Sequence, residues 1–172
     1  MVVADSQHFL WTALHWATVS LNQAERVRVS FEPYRASTLG LTDGVVIRVT
    51  PEMERPKAVF WADVHFLMIA VKHLDGVLKL MGTAAPKLDK DLKAKAVELR
   101  HLLEHWEKAQ QGEGAWKGYR EKHGPYAAPT QVQFEPGDPG DLRIGTDPLS
   151  VVDLAADVRR VEGELVGIEA QT

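Results

Sequence analysis

The stretch Leu88–Trp106, LDKDLKAKAVELRHLLEHW, decides how the rest of the chain is read. Its Leu88, Leu92, Ala96, Leu99, Leu103 and Trp106 recur at intervals of three and four, the period of one face of a helix. Upstream, Phe60, Val64, Leu67, Ala70, Val71, Leu74, Leu78 and Met81 carry a second such stripe, with Pro56 suited to its first turn and Gly82 to its end. Only the short connector Ala84-Ala85-Pro86 separates the two, so helices over about 56–82 and 87–110 are expected to be antiparallel neighbours.

Two more helices flank this pair. Leu10, Leu14, Ala17, Leu21 and Ala24 predict one over 6–24 with Ser6 as its N-cap. Val151, Leu154, Val158, Val161, Leu165 and Ile168 predict another over 150–168, opened by Ser150 and Asp153 at capping-box spacing, with Leu149 and Leu154 placed for a hydrophobic staple. Between the first and second helices the period changes. Val27, Val29 and Phe31 alternate with polar residues, and Val45-Val46-Ile47-Arg48-Val49 is β-branched, which predicts two short strands in 25–50. Residues 111–140, rich in Gly, Pro and polar residues, read as a long loop ending in a small hairpin around Gln131–Phe134 and Leu142–Ile144. The expected fold is mainly all-α: a four-helix up-and-down bundle with short β-hairpin insertions after the first helix and before the last, one domain over 1–172.

Composition narrows the function classes. With 172 residues, 45% apolar and 26% charged, the chain has the make-up of a globular domain with a substantial core. It has no cysteine, which excludes disulfides, thiolate metal sites and a thiol nucleophile. Neither a signal-like N-terminus nor an apolar run long enough to span a bilayer is present, so the expected setting is cytoplasmic and off the membrane. Residues 135–172 hold nine Asp/Glu against three Arg, or −6, which leaves +2 on residues 1–134 from the total of −4. Bulk charge therefore gives no basic face for nucleic acid, and an RNA partner would have to meet a local patch. A glycine-rich phosphate loop and a GxSxG elbow are both missing.

The third helix carries the densest chemistry. At 100° per residue Arg100 falls at the edge of the apolar stripe, while His101, Glu104 and His105 fall on the far side. His101 and His105 stack one turn apart, as do Arg100 and Glu104. Arg100-His101-Leu102-Leu103-Glu104-His105 resembles the arginine, four-residue spacer, histidine signature of HEPN domains, helical bundles that carry it on a late helix. His101 stands where that family more often has asparagine. The resemblance covers mainly residues 56–110 and, loosely, 150–168.

The resemblance implies a homodimeric, metal-independent endoribonuclease without a cofactor, leaving 2′,3′-cyclic phosphate ends, in a toxin or defence setting with an antitoxin or operon partner. By carry-over Arg100 would hold the scissile phosphate, His105 would be the general acid/base and His101 a supporting group. That chemistry suits a side chain titrating near neutrality and a guanidinium fork that matches phosphate. In toxins of the family a tyrosine often stands two residues after the histidine, as the site that the antitoxin modifies. Here Glu107 takes that place.

Other readings of the same residues stand beside this one. Asp63, His65 and Glu104 are candidates for a supporting role around the site, and Trp116, Lys117, Tyr119, Arg120 and Lys122 interleave rings and cations as single-stranded RNA binders do. In the plainest alternative the helix face is solvated, with Arg100 and Glu104 a surface pair and the 116–126 aromatics covering the bundle. A further alternative is a DinB-like metal bundle with His65, His101 and His105 as ligands. A non-catalytic HEPN-like module for dimerisation or RNA binding is the last.

Overall fold

A computed structural model describes residues 3–39, 51–105, 115–124, 132–135 and 138–171. The described residues form α1 (Val3–Leu39), α2 (Pro51–Leu80), α3 (Lys90–Glu104), α4 (Ala115–His123), β1 (Val132–Glu135), β2 (Asp138–Ile144), β3 (Leu149–Ser150) and α5 (Val151–Glu169). The fold is mainly α, with a small antiparallel sheet in the order β1-β2-β3.

Cross-helix contacts give the directions. Trp16 stacks on His73, Arg26 reaches Asp63, and Tyr34 stacks on Phe60, so α1 and α2 run antiparallel. Lys93 meets Asp75 and Glu104 meets His65, which makes α2 and α3 antiparallel, as their short connector predicts. Trp11 donates to Glu169 and Thr18 to Glu162, so α5 also runs against α1. One core cluster includes buried residues from α1, α2, α3, α5 and the sheet.

The first helix departs from expectation. It begins before Ser6, which therefore lies within it, and it continues through 25–39 where a strand was expected. The alternating apolar residues are also compatible with helical spacing, because Ala24, Val27, Phe31 and Tyr34 share one face while Val29 is 61% exposed. Phe60 and Trp61 of α2 supply the partners for that face, 4.5 Å and 6.3 Å from the Tyr34 ring. Local pairs Glu25–Arg28 and Glu32–Arg35 line the outer side. The buried hydroxyls of Ser20 and Ser30 donate to the carbonyls of Trp16 and Val27 and so carry no unmet polar group into the core. The second expected strand, 45–49, lies outside the described residues.

The second helix starts at Pro51, so Pro56 sits inside it rather than at its first turn. It ends as expected, with Gly82 at φ +94° and its N–H on the Lys79 carbonyl. Asp89 caps α3 by accepting from the N–H groups of Asp91 and Leu92 at 3.0 and 2.9 Å. The helix is shorter than 87–110: it closes at His105, and Trp106 lies outside the described residues. Its buried line is Ala96, Leu99 and Leu102, with Leu103 only partly covered, because α3 packs on α2 on one side and on β3 and α4 on the other.

The expected 111–140 loop contains a helix, α4, held by buried Tyr119. The hairpin is present: Val132 pairs with Ile144 and Gln133 with Arg143, and β2 then pairs with β3 through Ile144 and Leu149. Ser150 caps α5 by accepting from Asp153 N–H at 3.1 Å, and Val151, Leu154, Val158, Val161 and Leu165 are buried as their spacing predicts. Among the described residues no helix is long and apolar enough to cross a membrane.

Candidate functional site

The C-terminal half of α3 turns a polar edge toward α2. Arg100 lies in the seam, its side chain 15% exposed, and its Nη1 donates to Glu104 Oε1 at 2.6 Å one turn on. The Arg100–Glu104 pair of the solvated-face reading is present, but Arg100 is mostly covered rather than solvated. Its Nε is fully covered and has no hydrogen-bond partner. From α2, His65 brings Nε2 to 3.9 Å from the same Glu104 oxygen, and that nitrogen is also covered and without a hydrogen bond. Glu104 thus sits between a guanidinium and an imidazole contributed by different helices.

The two remaining imidazoles stand on the outer side of this seam. His101 is exposed and His105, half-buried, is the C-cap residue of α3. Their rings meet edge to face with centroids 4.8 Å apart, as expected for residues four apart on a helix. Arg100, His101, Glu104, His105 and His65 are therefore gathered at the C-terminal end of α3, against the middle of α2. Such a set can bind an anion and hold protons at separate nitrogens.

The chain matches no family model, no curated protein and no solved structure. The site rests on its own geometry.

Asp63 is not part of the cluster. Residues two apart on a helix point about 200° away from each other, so Asp63 faces α1 while His65 faces α3. Arg26 donates to Asp63 through Nε at 3.0 Å and Nη2 at 2.9 Å, which offsets the cost of placing a carboxylate at 3% exposure. The metal alternative is not assembled either. Among the described residues no three His, Asp or Glu side chains gather in a group that could hold a metal ion, because His65 meets Glu104 rather than the His101–His105 pair.

The basic and aromatic segment divides once it is seen as a helix. Tyr119 is 5% exposed and its hydroxyl accepts from Thr146 N–H at 3.1 Å, so it anchors α4 to the β2–β3 turn and is no platform for a base. Lys122 lies against Glu98 of α3 at 3.2 Å, and Arg120 is half-buried. Lys117 remains outward, near Glu121 at 3.9 Å. Trp116 belongs to α4, but its side chain lies outside the described residues. In the same turn Lys95 approaches Asp147 at 2.8 Å. Its hydrogen bond holds the Asp147 carboxyl below the ordinary carboxylate range, helped by the charges of His123 and Lys122. Arg26 and Glu98, which neutralise Asp63 and Lys122, have no signal in sequence spacing because their partners lie on other helices.

Proposed function

We propose that the chain is a HEPN-type, metal-independent endoribonuclease that works as a homodimer. The observation that carries the reading is the C-terminal half of α3 itself: a mostly covered arginine, bound by Glu104 and with a covered Nε that has no hydrogen-bond partner, on the same stretch of helix as two imidazoles in ring contact. In this reaction one imidazole removes the proton of a ribose 2′-hydroxyl. The resulting oxygen attacks the adjacent phosphorus, and the 5′-oxygen of the next nucleotide leaves with a proton from a second imidazole. The products are a 2′,3′-cyclic phosphate and a free 5′-hydroxyl, with no net gain or loss of protons. Arg100 would offset the charge on the phosphate, His105 would serve as acid/base, and His101 would support it or act as its complement. A toxin or defence role, with an antitoxin or operon partner, accompanies this reading.

Glu104 favours a second reading. Its 2.6 Å hold on Arg100 looks like a structural cross-link, as a non-catalytic dimerisation or RNA-binding module would have. RNA cleavage in EDTA separates the two. The ribonuclease reading expects parent activity, a loss of at least about 100-fold in Arg100→Ala and in His105→Ala, and a lower KM in Glu104→Gln, which frees the guanidinium for phosphate. Cleavage indifferent to Arg100 and His105 would overturn the assignment.

A further inference from the structure

A groove of about 490 Å³ lies at the opposite end of α3, between the end of α2, the connector and the start of α3. Its apolar lining includes Leu78 and Leu88, 3% and 5% exposed, with buried Pro86 between them in the connector. Lys79, Lys87, Lys90 and Lys93 line it together with a single carboxylate, Asp75, an excess of three positive charges.

These lysines are not neutralised as the other cations are. Asp75 takes Lys79 at 2.6 Å and Lys93 at 3.4 Å, so one carboxylate serves two ammonium groups. Lys87 and Lys90 make no ion pair among the described residues. On α5, Asp157 and Glu164 are paired with Arg160, at 2.5 and 2.6 Å. Like charges converging on a low-dielectric wall focus a field that attracts anions.

The walls are also fixed in advance. Gly82 closes α2 at φ +94° and its carbonyl accepts from Ala85 N–H. Arg160 Nη2 donates to the Lys87 carbonyl at 2.7 Å, and Asp89 N–H donates to Asp157 at 2.7 Å, so α5 pins the connector at two successive points. A preformed concave site of this size, with an apolar floor and a few charged groups on its rim, has the character of a small-molecule pocket.

We propose that this groove binds a phosphate-bearing nucleotide unit, with the base on the Leu78–Pro86–Leu88 floor and the phosphates among Lys87, Lys90 and Lys93. Such a unit comes as a free nucleotide or as the 5′-phosphorylated end of a strand. The site is separate from the Arg100 cluster, since Lys93 and Lys90 lie about 10 and about 15 Å before Arg100 along α3 at 1.5 Å per residue, and it does not depend on the ribonuclease reading.

Calorimetric titration of the full chain with ADP, inorganic phosphate, and a DNA trinucleotide with or without a 5′-phosphate tests the proposal. ADP or the 5′-phosphorylated trinucleotide is expected to bind at least tenfold more tightly than inorganic phosphate. Whichever of the two binds more tightly identifies the source. Lys87→Glu/Lys90→Glu should weaken that binding at least tenfold while melting at the parent temperature. Arg55→Glu/Lys57→Glu, the same charge change at the other end of α2, should weaken it less than twofold. No binding at millimolar ligand, equal binding of phosphate and ADP, or equal losses in the two double variants would overturn it.

Discussion

The two ends of α3 present opposite solutions to the same problem of placing cations beside a core. At the C-terminal end Arg100 is covered and its charge is met one turn away by Glu104, with His65 completing the group from α2. At the N-terminal end Lys87 and Lys90 line an apolar groove without an ion pair among the described residues, while Asp157 and Glu164 of α5 are paired with Arg160. The ends also differ in what anchors them. Leu102 is buried at the C-terminal end, whereas the N-terminal end adds hydrogen bonds, the Asp89 cap and the two links to α5, to the packing of Leu88. One helix thus separates a site suited to proton transfer from a site suited to anion binding.

The largest effect that would break this contrast is loss of the packing anchor. Leu102→Ala, at 2% exposure, should cost about 2–5 kcal/mol in denaturant unfolding. A cost below about 1 kcal/mol would mean that the C-terminal end is not held by packing. Asp89→Ala should cost less, about 0.5–2 kcal/mol, and should loosen the groove, so that ligand binding there falls while RNA cleavage does not. Equal loss of both would merge the two ends into one unit. Tyr119→Phe removes the hydroxyl that accepts from Thr146 and should cost about 1 kcal/mol, read out as faster hydrogen exchange at Thr146.

The smallest effect is a matter of pH. The Asp147 carboxyl titrates below its ordinary value in the folded chain, so its contribution is fully present above the unfolded pKa near 3.8 and is lost as pH falls through the lower folded value. Because Asp147 is more than a third exposed, screening limits this to about 0.2–1 kcal/mol. Lys95→Gln should abolish this part of the acid destabilisation, and an unchanged acid limb would show that the pair contributes nothing.

How legible these features are in the sequence varies with where the deciding partner lies. The stripes of α2 and α5, the Gly82 stop and the Ser150 cap are local signals, and the structure follows them. The second half of α1 is ambiguous locally, since Val27 and Phe31 suit either period. The rings of α2 decide it. Helix α4 escapes notice because Gly118 and a run of charges mimic a loop, and its only buried side chain among those described is Tyr119. At the site, the grouping of Arg100, His101, Glu104 and His105 follows from helical spacing alone, and His65 joins it from the neighbouring helix. Asp63 was separable from His65 by angle, but its Arg26 partner was not foreseeable. Lys87, Lys90 and Lys93 recur every three residues, yet they form a groove only because the end of α2 and the connector fold over them.

The reaction proposed for the Arg100 end is a 2′-hydroxyl transesterification. The most direct measurement compares an RNA cleaved by the parent protein in EDTA with the same RNA carrying a single 2′-deoxy residue at the scissile position. Cleavage at that position with a 2′,3′-cyclic phosphate terminus is expected in the first, and at least about a 100-fold loss of that cut in the second. Cleavage of the deoxy strand at the parent rate, or no cleavage of either, would contradict it.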